Sequence, residues 1–220
     1  MRLSGIVGSA AVVGLSTAAF AGPDWVEQGD SGSDLATAQI TVTNTGTLNS
    51  ISGTLGGGFL ADFEDCYLVR VLNPGTFTMT VGSANFNPQL FLFNISVTNG
   101  AFGLLANDDQ NVENNLPRFG GTSNDGTQVI VSLPGLYMIG LTGFNRDPMS
   151  QTGAMFNQVS TTEVSGPDGP GGFNPLTGWA GTGQTGNYTI VFTGVGPATP
   201  APGAAVVLGL GALVGMRRKR

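Results

Sequence analysis

The chain contains no histidine, one cysteine and one lysine, and each scarcity removes a class of chemistry. Without imidazole there is no Ser-His-Asp or Cys-His nucleophile system and no histidine metal site. With Cys66 alone, no disulfide closes within the chain and no thiolate zinc site is complete. The lysine, Lys219, belongs to a terminal basic run, so between residues 22 and 199 the only cations are Arg70, Arg118 and Arg146. All 14 acidic residues, from Asp24 to Asp168, stand against those three arginines, a net charge of −11 for that body. Such a surface repels nucleic acid and anionic lipid and attracts divalent cations. No phosphate-binding or dinucleotide-binding glycine fingerprint occurs in a strand–turn–helix context.

Helical periodicity is also missing from the body, and period-two alternation takes its place. Tyr67, Val69 and Val71 share one face, as do Phe77, Met79 and Val81, then Tyr137, Ile139 and Leu141, then Tyr188, Ile190 and Phe192. Turn residues bound these runs, at Asn73-Pro74-Gly75, Asn99-Gly100 and Leu133-Pro134-Gly135. Strands are expected over 38–43, 48–54, 67–72, 76–81, 89–94, 103–106, 128–132, 135–142 and 188–194. Short alternating strands with frequent turns predict an all-β fold, an antiparallel β-sandwich of jelly-roll type, occupying residues 22–196. Cys66, at a strand start, reads as a small packed residue.

Two stretches break the rhythm. Residues 107–124 are polar and acidic; residues 145–186 are rich in Gly and Pro yet carry Met149, Met155, Phe156, Phe173 and Trp179. Apolar residues spaced through a long loop predict that it folds back over the sandwich, the alternative being a mobile insertion.

The two ends read as addresses. Arg2, an apolar run over 6–15 and Ala19-Phe20-Ala21 form a secretory signal pattern, a signal helix over 1–21 with cleavage after Ala21. Residues 197–220 comprise a linker, Pro200-Ala201-Pro202, a short apolar helix over 204–216 and Arg217-Arg218-Lys219-Arg220. The apolar run is shorter than the ~20 residues that cross a bilayer comfortably, although terminal cations extend its reach by snorkelling. A proline motif, an apolar helix and a basic end together resemble the PEP-CTERM sorting signal of Gram-negative bacteria, with Ala201 where the commonest motif has glutamate. That resemblance implies export, a transient membrane anchor, and processing at Pro200, Ala201 and Pro202 by an exosortase-type transpeptidase. The expected partners are therefore the membrane and the export and sorting machinery, and the expected location is the cell envelope, the cell surface or outside.

The body carries a second resemblance. Asp62-Phe63-Glu64-Asp65-Cys66-Tyr67 leads into a strand, followed by Asn73-Pro74-Gly75-Thr76-Phe77-Thr78 and Pro88-Gln89-Leu90-Phe91-Leu92-Phe93. Ala106-Asn107-Asp108-Asp109, Pro134-Gly135-Leu136-Tyr137 and Gly186-Asn187-Tyr188-Thr189-Ile190 complete the order. The set is similar to the bacterial pre-peptidase C-terminal domain, a small non-catalytic β-sandwich of exported proteins, over roughly residues 50–194 with 145–186 as a departure. Some members of that family bind calcium or matrix polymers.

Calcium takes six to eight oxygen ligands, and Asp62 and Asp65 stand at a D-x-x-D spacing just before a strand. That position is similar to the acidic cluster of calcium-binding members of the family. Glu27, Asp30 and Asp34 are candidates to fold back and complete the shell. Asp108-Asp109 is either a second site or a solvated turn. The alternative for Asp62 and Asp65 is a charged strand edge that discourages sheet pairing.

These readings predict an exported, non-catalytic structural or binding module stabilised by calcium. A second reading is an adhesin domain for polysaccharide or protein, with Phe173 and Trp179 as contacts. A third is a glycoside hydrolase pairing Glu64 or Asp65 with Asp108 or Asp109, which requires the two carboxyls to stand roughly 5–10 Å apart.

Overall fold

A computed structural model describes residues 25–43, 46–56, 62–96, 98 and 100–200. The expected signal helix with Ala19 and Ala21, and the tail with Ala201, Pro202 and the apolar helix, lie outside the described residues. Within them the chain is predominantly β. In chain order the strands are β1 (Trp25–Val26), β2 (Gln39–Ile40), β3 (Val42–Thr43), β4 (Ser50–Leu55), β5 (Glu64–Val71), β6 (Thr78–Ala84), β7 (Pro88–Ser96) and β8 (Gly100–Asn107). There follow β9 (Arg118–Gly120), β10 (Gly135–Gly143), β11 (Arg146–Ser150), β12 (Gly153–Ala154), β13 (Leu176–Gly181), β14 (Gly186–Thr193), β15 (Val195–Pro197) and β16 (Thr199–Pro200).

Two sheets carry the architecture. The first has the order β1-β4-β14-β6-β9, the second β15-β5-β10-β7-β8 with β2 paired beside β5. Their facing sides build the main core from the alternating residues read in the sequence. Tyr67, Val69, Val71, Leu90, Leu92, Ile139 and Leu141 meet Ile51, Leu55, Met79, Val81, Tyr188, Ile190 and Phe192. Each fully buried side chain of this size contributes about 1.5–3 kcal/mol.

The pairing is not wholly antiparallel as expected. β1 runs parallel to β4, β2 to β5 and β3 to β16. These two-residue parallel pairs all involve the N-terminal segment, which runs along strand edges instead of forming hairpins. The single strand expected over 38–43 divides at Thr41, which is fully buried. Its Oγ1 donates to the Leu68 carbonyl at 2.7 Å and accepts from Ala198 N at 3.0 Å, so a side chain links what would otherwise be a continuous ladder. The strand expected over 128–132 is reduced to an isolated bridge, Thr122 with Ile130. Gln128 sits at φ 59, in the left-handed region that an extended run does not tolerate.

Residues 145–186 carry their own three-stranded sheet, ordered β12-β11-β13, and lie on the outer face of the second sheet. Met155, Phe156, Leu176 and Trp179 cover Cys66, Phe91, Phe93, Ala101, Ala106 and Met138. The Trp179 ring meets Phe91 and Phe93 edge-on, with centroids 5.5 and 6.1 Å apart. Gly140 makes room for it: a Cβ there would lie 2.9 Å from the indole. The second sheet is thus buried on both faces, and β7 is accordingly an unbroken buried run from Pro88 to Phe93.

Candidate metal centre

β5 begins at Glu64, so Asp65 is inside the strand rather than ahead of it. Strand alternation sends the two neighbouring carboxylates to opposite faces. Glu64 turns outward and forms an ion pair with Arg146, whose guanidinium also lies over the Phe63 ring, 5.6 Å from its centroid. Asp65 turns into the sandwich, where it is fully buried. Tyr188 of the opposite sheet donates its hydroxyl to Asp65 Oδ2, and the Tyr67 and Tyr188 hydroxyls stand 2.6 Å apart.

Asp65 Oδ1 meets no hydrogen-bond donor. What surrounds it is more carboxylate. Asp30, Asp62 and Asp65 each offer an oxygen within 4.8 Å of the others. Glu27 stands within hydrogen-bond reach of Asp65, so that a protonated Asp65 donates to it, and its oxygens also accept from Ser31 N at 3.1 Å and Thr54 N at 2.8 Å. Asp62 accepts from Gly56 N at 3.2 Å and Asp30 from Gly32 N at 2.8 Å. Gly53 of β4 leaves the space, since a Cβ would collide with the Tyr188 hydroxyl and reach 2.8 Å from a Glu27 oxygen.

The electrostatics follow from that crowding. Burial first, then the Glu27 charge, push the Asp65 carboxyl up to about 9. Burial also raises Glu27 and Asp62 above the usual carboxylate range. Among the described residues the one ion pair is Arg146 with Glu64, so no arginine neutralises this group. Three carboxyls, those of Asp30, Asp62 and Glu27, therefore stand around the buried Asp65 without an arginine among them. Only a shared proton or a bound cation offsets the desolvation and repulsion of such a set.

Three segments position the cluster. The N-terminal segment is laid along the sheets by β1, by Ser31 donating to the Cys66 carbonyl, and by Cys66 N donating to Gly32 O. The residues just before β5 bring Asp62, and β5 itself brings Asp65. Asp34 does not join. Its carboxylate accepts from Ala36 N at 2.9 Å, Thr37 N at 2.8 Å and Thr37 Oγ1 at 2.8 Å, which holds its pKa below the ordinary value. Asp34 closes its own turn. Asp30, only a candidate to complete the shell by sequence, belongs to the cluster as closely as Asp62 and Asp65.

Asp108 and Asp109 directly follow β8, which two strands separate from β5 in the second sheet. With the order β5-β10-β7-β8, three strand spacings separate Glu64 and Asp65 from them, about 14 Å between backbones. The two halves of the expected carboxyl pair therefore stand on different strands of the sheet, with β10 and β7 between them. Asp108 is not solvated, being only 3% exposed. Of the two aromatic contacts suggested by sequence, Phe173 is 90% exposed, whereas Trp179 is packed against Phe91 and Phe93 and donates its indole N–H to Ser33 O at 2.7 Å. Trp179 therefore holds the 145–186 segment to the N-terminal segment. Pro200, the one described residue of the expected processing motif, lies in β16 beside Thr43.

Compared with family models, curated proteins and solved structures, the chain finds no match in any of the three.

Proposed function

We propose that this protein is an exported, calcium-stabilised β-sandwich module of the cell surface or extracellular matrix, one that binds or builds rather than catalyses. The observation that carries the reading is the unpartnered, fully buried Asp65 Oδ1 beside Asp30, Asp62 and Glu27. The donors are all oxygen and irregularly placed, which suits calcium, an ion of flexible coordination, better than the strictly octahedral magnesium. Exported modules meet calcium at millimolar levels, so a site of modest affinity is filled outside the cell and empty inside it. On this reading Asp30, Asp62 and Asp65 are the ligands and Glu27 completes the charge. The ion then fastens the N-terminal segment, the first part of the chain after a signal peptide, to β5. The acidic body and the tail read as a sorting signal agree with a place outside the cytoplasmic membrane. The resemblance to the pre-peptidase C-terminal domain points the same way.

Phe173 supports a second reading, in which the module docks polysaccharide or protein through the tip of the 145–186 segment. It does not compete with the first, because an ion that stiffens the scaffold serves either role.

Thermal unfolding with calcium and with EDTA tests the proposal. An ion at a hundredfold excess over its dissociation constant adds roughly 2.7 kcal/mol, a rise of several degrees in Tm for a domain of this size. EDTA reverses the rise, and Asp62→Asn with Asp65→Asn abolishes most of it while leaving the calcium-free protein at least as stable. A Tm that millimolar calcium does not move refutes the site.

A further inference from the structure

The outer face of the second sheet is apolar where Phe91, Phe93 and Met138 lie, but one row across it is polar. Thr142 of β10 is the direct partner of Glu64 in β5 and of Gln89 in β7, so the three side chains stand side by side on one face. Directly opposed residues of antiparallel strands place their Cβ atoms about 5 Å apart. Thr142 is fully buried and Gln89 is 3% exposed. A hydroxyl and a carboxamide are therefore neighbours at a place that solvent does not reach.

One residue of β11 holds both groups. Thr142 Oγ1 donates to the Arg146 carbonyl at 2.9 Å, and Arg146 N donates to Gln89 Oε1 at 3.1 Å. Arg146 is itself fixed, its guanidinium paired with Glu64 and donating to the Gly181 carbonyl at 2.8 Å. The amide nitrogen of Gln89 donates to Asp147 Oδ1 at 3.3 Å and to Gln158 Oε1 at 3.4 Å. Burial holds the Asp147 carboxyl above its ordinary pKa, so it keeps a proton more readily than an exposed aspartate. Hydrogen bonds to an amide lie near its plane, so these partners occupy its edge and leave its faces open to a nucleophile. The set has the parts of an acyl transfer: a hydroxyl, a backbone N–H on the carbonyl oxygen, and a carboxyl at the leaving nitrogen.

We propose that Thr142 and Gln89 join in an ester that links β10 covalently to β7. Thr142 Oγ adds to Gln89 Cδ while the Arg146 N–H supports the developing oxyanion. The Cδ–Nε2 bond then breaks, with Asp147 giving a proton to the departing nitrogen and taking up the one that Thr142 loses. The products are one ester and one ammonia, and no oxidant, cofactor or further reactant enters. Burial of the row keeps water from the ester once it has formed. A chain with one cysteine closes no disulfide within itself, and this bond closes the stretch from 89 to 142 in the manner of one. None of its residues belongs to the cluster of Asp30, Asp62 and Asp65, so it stands or falls apart from the calcium site.

Mass spectrometry of tryptic peptides from the full chain tests the proposal. Trypsin cuts after Arg70, Arg118 and Arg146, so Gln89 falls in the peptide 71–118 and Thr142 in the peptide 119–146. The expected result is one linked species, lighter than the two peptides together by one ammonia. Hydroxylamine in denaturant separates the two and leaves a hydroxamate at Gln89, as an ester requires. Thr142→Val, of nearly the same shape, removes the link, and Thr142→Ser, which keeps a hydroxyl, retains it. Asp147→Asn slows linking by roughly 10²-fold, read as the linked fraction against time after synthesis. The wild-type measurement needs no variant to fold. Recovery of the wild-type peptides apart, with Gln89 an intact amide, overturns the proposal, and so does a link that survives Thr142→Val. Linking at the wild-type rate in Asp147→Asn overturns the role given to that carboxyl.

Discussion

The two sheets differ in what lies on their outer faces, and the difference decides how each is written in the sequence. The first sheet has the core on one side and solvent on the other. β14 accordingly alternates, with Tyr188, Ile190 and Phe192 buried and Val191 44% exposed. The second sheet has the core on one side and the 145–186 segment on the other, so Gln89, Leu90, Phe91, Leu92 and Phe93 are buried in succession. A one-sided sheet announces itself by period two, whereas a two-sided sheet reads as an uninterrupted apolar run. The teaching is that residues 145–186, despite their glycines and prolines, are a structural layer.

The strongest way to break that comparison is to truncate equivalent outward-facing side chains of each sheet. Phe91→Ala empties a fully buried site against Phe156 and Trp179 and is expected to cost about 3–5 kcal/mol. Val191→Ala, on the solvent face of the first sheet, stays within about 0.5 kcal/mol. Urea unfolding midpoints decide the matter, and equal costs would mean that the 145–186 layer does not pack as described.

A second effect contrasts the carboxyls on the two sides of the second sheet. Asp65 at about 9 and Asp108 at about 7 both lie above the ordinary aspartate value of 3.8. A raised folded-state pKa means that the fold takes up protons. Its stabilising contribution is full below about pH 4 and is lost as the pH rises, through about 7 for Asp108 and about 9 for Asp65. The calcium-free protein should therefore unfold at lower temperature at pH 8 than at pH 5. Saturating calcium should cancel or reverse that fall, because it stabilises the ionised carboxyls. Melting curves in EDTA that rise from pH 5 to 8 would contradict both assignments.

A smaller effect probes how the layer is fastened. Trp179→Phe keeps an aromatic ring on Phe91 and Phe93 but removes the indole N–H donated to Ser33 O. The expected loss is about 1 kcal/mol. Hydrogen exchange should quicken in both the N-terminal segment and the 176–181 strand, and unchanged exchange would show that the bond does not couple them.

Most of the main core was legible because its residues recur at period two: Phe77, Met79 and Val81 are separated by Thr78 and Thr80, and Tyr188, Ile190 and Phe192 share one face. The strands of the outer layer were not. β11 contains Pro148 and β13 reads Leu-Thr-Gly-Trp-Ala-Gly, both poor in β-forming residues, and they pair because Phe91 and Phe93 offer an apolar face to cover. β9 is hidden in a polar stretch for the same reason: Phe119 alone anchors it in the core. Of the acidic cluster, Asp62 and Asp65 were visible through their local spacing. Asp30 is separated from them by a segment whose path depends on the parallel β1 and β2 pairings, which no local pattern encodes. Asp34 looked equivalent in sequence, and only its turn distinguishes it. Asp147 carried no signal at all, because its partner Gln89 is brought near only when the outer layer docks.

The most direct test of the central claim is a crystal structure of the protein grown with calcium. An ion is expected about 2.3–2.6 Å from oxygens of Asp30, Asp62 and Asp65, with Asp65 Oδ1 among the ligands. A structure at millimolar calcium in which that position holds no ion, and Asp65 is instead protonated and bonded to Glu27, would contradict it.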